Sequence, residues 1–193
     1  MARDDVMNKV LTSIEQNPII AAVRTEEDVD AAIRAGVSVV FLLHCDIFNV
    51  KDLVGRIRES GKFVFVHMDL LEGLGKDQKA VEYIARVVKP DGIISTKTPH
   101  IKHARDAGLF TIQRFFLLDS QSFDQTIKTA KASAPDMVEI MPALMPAVIK
   151  KVCSLLELPV IAGGLIENKE DIVEILKAGA IGASTGRKEL WQL

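Results

Sequence analysis

Short runs of apolar, β-rich residues recur along this chain, and almost every one is followed by a segment whose apolar positions return at helical spacing. The runs are Pro18 to Val23, Val37 to Leu43, Phe63 to Leu70, Gly92 to Thr96, Phe110 to Leu118, Met137 to Met141, Pro159 to Ala162 and Ala180 to Ser184. Between them lie polar stop and start signals. Thr25 with Asp28 three residues on opens a helix that Gly36 ends, Asn49 opens another that Gly61 closes, and Asn168 precedes Lys169 to Lys177 with Gly179 after it. Ahead of the first run, Val6, Val10 and Ile14 share one face of a further helix, with Met7 and Leu11 beside them, suited to plugging one end of a barrel.

Strands separated by helices pair in parallel through right-handed crossovers, and eight such units are what a closed (β/α)8 TIM barrel requires. The 193 residues allow about 24 per unit, enough for a strand, a three-turn helix and two short loops, and leave nothing for a second domain. The expectation is therefore an α/β protein whose residues 1–193 form one small TIM-barrel domain. It has an extra N-terminal helix and an eighth helix reduced to Arg187 to Leu193. An open doubly wound sheet is the alternative, since it asks for no pairing between the first and last strands.

Composition narrows the function. Lys and Arg number 24 against 26 Asp and Glu, a net charge of -2, and only 5% of residues are aromatic, so a constitutive nonspecific nucleic-acid binder is disfavoured and any such contact is local. The apolar runs fall short of the ~20 residues of a membrane span. Charges at Arg3, Asp4, Asp5, Lys9 and Glu15 interrupt what a secretory signal would keep apolar. Cys45 and Cys153 stand far apart with no CxxC spacing, which fits reduced thiols in a cytoplasmic protein.

Side chains near the C-terminal ends of parallel barrel strands converge on one mouth, and this chain places polar residues there repeatedly. They are Arg24, His44 with Asp46, His67 with Asp69, Lys97, Gln113 with Arg114, and Glu139. The last two strands end in Gly163-Gly164 and Ser184-Thr185-Gly186, where barrels of this kind commonly bind phosphate, and glycine amides and hydroxyls are suited to an anion. The same glycines would also serve plain strand-to-helix turns. Lys97 reads as a phosphate or hydroxyl ligand, a Schiff-base nucleophile, or the salt-bridge partner of Glu139 or Asp69. His67 and Asp69 read as a ligand-contacting pair, or His67 as a satisfied core residue. His100 and His103 share a helix face without a third ligand, so no metal is expected. With Lys97, Lys102 and Arg105 they make the most basic local stretch, a solvated face or a contact for RNA phosphates. The segment Leu70 to Asp77, with Gly73 and Gly75, is either a mobile lid or an ordinary connection.

Across essentially its whole length the chain resembles the bacterial glycerol-3-phosphate responsive antiterminators, the glycerol uptake operon antiterminator regulatory proteins. The likeness rests on the order and spacing of several segments. They include Pro18 to Val23, His67-Met68-Asp69-Leu70 with Gly73 to Asp77, Gly92 to Lys97, and Gln113-Arg114-Phe115-Phe116 with Asp119-Ser120. Val138 to Pro142, Ala162 to Ile166, Ser184-Thr185 and Leu190-Trp191 complete the set. One departure is Ala143, where the family pattern usually has glycine. The resemblance implies a barrel without catalytic residues or cofactor that binds glycerol 3-phosphate and, so loaded, lets transcription read through a terminator in the leader mRNA of glycerol-use operons. On that reading the ligand meets His67, Asp69, Lys97, Glu139, Gly163, Gly164, Ser184 and Thr185, and RNA meets Lys102 and Arg105. The residues alone leave open a phosphosugar aldolase or isomerase. They also leave open whether Leu190 to Leu193 folds back or joins a homodimer.

Overall fold

Strand formation follows the apolar runs because each is buried on both sides, one side against the barrel interior and the other against the helix layer. The computed structural model describes residues 3–193; Met1 and Ala2, which the single-domain reading includes, lie outside the described residues. The barrel strands are β1 (Ile19–Val23), β2 (Val39–Leu42), β3 (Phe63–His67), β4 (Gly92–Ser95), β5 (Phe110–Phe116), β6 (Met137–Met141), β7 (Val160–Gly163) and β8 (Gly182–Thr185). Every neighbouring pair is parallel and sequential, and β1 closes on β8 with Ile19 opposite Ala183 and Ile20 opposite Ser184. That closure excludes the open sheet.

Among the described residues eight α-helices accompany the strands: α1 (Arg3–Gln16), α2 (Glu26–Arg34), α3 (Val50–Glu59), α4 (Gln78–Tyr83), α5 (Thr98–Asp106), α6 (Ser120–Ser133), α7 (Pro146–Leu155) and α8 (Lys169–Lys177). Helix α4 runs on into a wider turn over Ile84–Val88. The anticipated caps at Thr25 and Asn168 form full capping boxes with Asp28 and Asp171. Asn49 opens α3 differently: it makes no cap bond, and its Oδ1 instead accepts from the Asp46 amide at 2.9 Å.

Helix α1 does plug the barrel floor. Its Val10 and Ile14 are buried among the inward residues Ile20, Val39, Phe41, Phe65, Phe110, Ile112, Met137 and Ile161. Phe41, Phe65 and Phe110 pack edge to face at centroid spacings of 5.8 and 5.4 Å. After β8 the eighth helix is reduced to a 3-10 turn, Lys188–Gln192. The chain folds back there: Trp191 is buried and its indole N–H donates to the Thr185 carbonyl at 2.8 Å.

One boundary shifted in a way that matters for the site. The run from Phe63 was expected to stay extended to Leu70, but it leaves the sheet after His67 and turns through a 3-10 segment, Met68–Leu70. His67 and Asp69 are therefore not alternate residues of one strand. The segment that follows is fastened: Leu71–Glu72 pairs in parallel with Cys45–Asp46, Leu71 is buried, Lys76 Nζ donates to the Asp69 carbonyl, and His100 Nε2 lies 3.2 Å from the Lys76 carbonyl. A connection tied at these points is an ordered loop, not a free lid.

Candidate functional site

At the C-terminal face of the barrel a cavity of about 440 Å³ opens between the ends of β1, β5, β6, β7 and β8. Its wall includes Arg24, Arg114 and Arg187, the loop Gly164-Leu165-Ile166, and Ser184-Thr185-Gly186. Three guanidinium groups, two hydroxyls and a glycine-containing loop make it suited to a small anion. The acidic residues at its lip are occupied. Asp28 Oδ1 pairs with Lys188 at 2.7 Å, Asp28 Oδ2 accepts from the Arg24 and Thr25 amides, and Glu167 lies 3.8 Å from Arg187. No ion pair engages the Arg24 side chain among the described residues.

Below the cavity lies a buried polar layer. Glu139, fully buried on β6, accepts from Arg114 Nε at 2.6 Å with one oxygen and from Ser184 Oγ at 2.5 Å with the other. A buried carboxylate left without partners would cost several kcal/mol, so β5 and β8 are tied to β6 through this residue. Arg114 commits one of its five N–H donors to Glu139, and Ser184 spends its proton on the same carboxylate. The space for that contact comes from Gly163: a Cβ there would overlap Ser184 Oγ and stand 2.9 Å from Glu139 Oε1. One residue on, the chain bends through two left-handed residues, Gly164 at φ 79° and Leu165 at φ 62°. Leu165 takes a conformation that costs a side-chain-bearing residue about 1 kcal/mol, yet its side chain is 68% exposed, so burial does not repay the strain. The strained residue lies in the loop that lines the cavity. Ala143 gives no such strain: its backbone has no positive φ and its amide donates to the Gly164 carbonyl at 3.2 Å, so alanine fits where glycine was expected.

His67 is buried at the end of β3 and its Nδ1 has no hydrogen-bond partner. Burial, followed by the nearby Arg114 charge, pushes its pKa down to about 4 against a smaller opposing pull from Asp69. The imidazole is neutral at physiological pH.

The site residues expected from sequence separate into two groups. Gly164, Ser184 and Thr185 line the cavity; Gly163 and Glu139 build its floor. His67, Asp69 and Lys97 are not among its lining residues. Asp69 instead anchors the loop after β3 to α5. Its Oδ2 accepts from the Thr96 amide at 2.7 Å and Thr96 Oγ1 at 2.8 Å, its Oδ1 accepts from Ser95 Oγ at 2.9 Å, and His100 Nδ1 is 3.3 Å away. Burial alone would raise its pKa; hydrogen bonds from His100, Thr96 and Ser95 outweigh that and hold the carboxyl well below the usual range. The Lys97 salt bridge to Asp69 or Glu139 is absent, because both carboxylates are saturated by nearer donors; Lys97 is exposed. His100 belongs to the Asp69 network. Arg105 caps the end of α6, donating to the Ser133 and Ala134 carbonyls at 3.1 Å. Gln113 points to the helix layer, bonded to Thr98 and Ser133. His44 stands 4.0 Å from Glu72 on the surface. Arg187 was missed by the sequence reading. Its only signal was a basic residue directly after Ser184-Thr185-Gly186.

The family model for the glycerol-3-phosphate responsive antiterminators matches residues 19–191. The chain belongs to this family. It is 37% identical over 184 residues to the uncharacterized protein YgcP of Escherichia coli strain K12, covering 95% of this chain and 96% of that protein. Among solved structures it is similar to the glycerol uptake operon antiterminator regulatory protein of Listeria monocytogenes, at 32% identity and a TM-score of 0.88 over 91% of this chain and 95% of that one. The glycerol uptake operon antiterminator-related protein of Thermotoga maritima follows at 35% identity and a TM-score of 0.81, over 91% and 98%. Aldolases with 12% and 16% identity share the barrel fold alone. Among the described residues no helix is long and apolar enough to cross a membrane.

Proposed function

We propose that this antiterminator-family barrel binds glycerol 3-phosphate in the mouth cavity and, so loaded, binds leader mRNA to allow read-through of terminators in glycerol-utilisation operons. The observation that carries the reading is the convergence of Arg24, Arg114 and Arg187 with Gly164, Ser184 and Thr185 around one cavity of about 440 Å³ in a glycerol-3-phosphate responsive family. The phosphate sits against the Gly164 loop and the Ser184-Thr185-Gly186 turn, between the arginines. Glu139 and Gly163 act as positioning residues that hold Arg114 and Ser184. The glycerol hydroxyls extend toward His67, whose neutral ring accepts or donates one hydrogen bond. Asp69 and Lys97 support the neighbouring loops.

Binding couples to the surface through the wall itself. Arg114 lies on the strand that feeds α6, Met141 ends the strand that feeds α7, and the Ala143 amide holds Gly164. A ligand with different affinity for two arrangements of these loops shifts their populations. Leader RNA as partner puts the protein's work in the cytoplasm, and its role is regulatory instead of enzymatic. Lys97, the candidate Schiff-base nucleophile, has no place on the cavity wall, which weighs against the aldolase alternative.

Isothermal titration with glycerol 3-phosphate, glycerol and inorganic phosphate tests the proposal, followed by a leader-RNA gel shift with and without the metabolite. Saturable binding of glycerol 3-phosphate that strengthens the RNA shift is expected. No binding at millimolar metabolite, or turnover of a phosphosugar at the same site, would overturn it.

A further inference from the structure

The barrel divides into two electrostatic halves. From Lys97 to Leu156, the span of α5, α6 and α7, the chain carries eight Lys and Arg against five Asp and Glu; the remainder carries sixteen against twenty-one. Pairing differs too: among the described residues the surface lysines of that span have no carboxylate partner, while elsewhere ion pairs stand beside unpaired cations such as Arg24, Lys51 and Lys169. The surface ion pairs Lys9–Asp5, Arg56–Asp30, Arg58–Asp91, Lys79–Glu82, Lys177–Glu174, Arg187–Glu167 and Lys188–Asp28 all lie outside that span. Within it, Lys102, Lys128, Lys131, Lys150 and Lys151 are exposed and none is paired with a carboxylate among the described residues. Lys151 rests 4.5 Å over the Phe123 ring, which joins α7 to α6.

We infer that the outward faces of α5, α6 and α7 form the surface that grips the phosphate backbone of RNA, a deepening of the RNA-binding reading above. The chemistry favours a polyanion with hydrogen-bonding groups over a membrane. Ahead of its lysines α6 exposes Gln121, Asp124 and Gln125, with Thr129 half-buried, and among the described residues no large exposed apolar side chain lies on α5 or α6 and α7 carries one, Leu155 at its end. A helix that lies on lipid needs an apolar face to insert, whereas amides and hydroxyls beside lysines suit phosphate and sugar oxygens. Neighbouring helices stand roughly 10 Å apart, so the five lysines span several phosphates. At the mouth end of the same sector, exposed Phe116 at the end of β5 and Leu118 on the loop into α6 offer a platform on which an unpaired base can stack. The patch expected from sequence, Lys102 with Arg105, is the edge of this sector, and Arg105 has the structural task of capping α6.

The test compares two variants with equal loss of charge. One carries Lys102→Ala, Lys128→Ala, Lys131→Ala and Lys150→Ala. The other carries Lys51→Ala, Lys79→Ala, Lys169→Ala and Lys177→Ala. Each is titrated with a fluorescent leader transcript of a glycerol operon in saturating glycerol 3-phosphate, over a range of salt. The first set is expected to lose about tenfold or more in affinity and to flatten the dependence of log affinity on log salt by about 3, the value for four lost phosphate contacts on a single strand. The second set keeps wild-type binding, and both keep metabolite binding by calorimetry. Equal loss in both sets, or no loss in the first, overturns the surface while leaving the RNA-binding reading intact. Failure of the wild type to bind RNA sinks that reading itself. Binding of the wild type to anionic phosphatidylserine vesicles but not to RNA would assign the lysines to a membrane and also overturn the inference.

Discussion

His67 shows how much one side chain here depends on its surroundings. Its folded pKa lies near 4 and its unfolded value near 6.5, so the unfolded chain takes up a proton that the folded one refuses. Stability from this residue is complete above about pH 6.5 and is lost as pH falls through 4, by up to about 3 kcal/mol. Urea titrations of wild type and His67→Leu between pH 7 and 4 are expected to diverge, with the variant losing less over that window; parallel curves would contradict the burial argument. If Nδ1 meets a glycerol hydroxyl, the same variant binds glycerol 3-phosphate about tenfold more weakly while its affinity for inorganic phosphate is unchanged, a loss of one hydrogen bond. Arg24 is the residue for separating binding from folding. It is exposed and makes no ion pair among the described residues, so Arg24→Ala is expected to weaken metabolite binding about tenfold and to shift stability by less than about 0.5 kcal/mol. Calorimetry and chemical denaturation on one preparation check both.

Among the elements, the turn from β7 into α8 and the plug α1 make contrasting cases. Leu165→Gly removes a left-handed leucine whose side chain buries little, so a gain of about 0.5–1 kcal/mol is expected in urea denaturation. Gly163→Ala does the reverse. Its methyl overlaps Ser184 Oγ, the Glu139 contact breaks, and both stability and metabolite binding fall. Ile14→Ala, at the floor and remote from the mouth, is expected to cost about 3 kcal/mol of stability with metabolite affinity retained. Helix α1 was legible because its apolar spacing is regular. The 3-10 turn at Met68–Leu70 was not: Asp69 leaves the sheet to reach Ser95, Thr96 and His100, about 26 to 31 positions away, and no local propensity encodes those partners.

For the molecule as a whole, the proposal makes a bulk prediction. Glycerol 3-phosphate at 100 times its dissociation constant stabilises the folded state by about 2.7 kcal/mol. For a domain of this size each kcal/mol raises Tm by roughly 2–4 °C. A rise of about 5–10 °C is therefore expected with glycerol 3-phosphate, and a smaller one with glycerol. The contrast between a sector with a surplus of lysines that have no carboxylate partner among the described residues and a net acidic remainder belongs to this scale too. The surplus of lysines in α5 to α7 can be counted along the chain, but that they stay unpaired follows from which helices stand side by side.

Sequence alone determined the repeating strand and helix units, the plug, the reduced last turn and the glycine and hydroxyl ends of the final two strands, because each is written in spacing over a few residues. It also placed Lys97 and Asp69 beside the ligand. Tertiary structure sets them in the neighbouring loops, keeps Arg24 and Arg114 at the mouth where the strand ends placed them, and adds Arg187 to the cavity wall. The reason is geometric: which donors satisfy a buried carboxylate depends on the stagger of strands brought together by barrel closure, and that stagger sets Arg114 and Ser184 against Glu139 while leaving Asp69 to Ser95, Thr96 and His100.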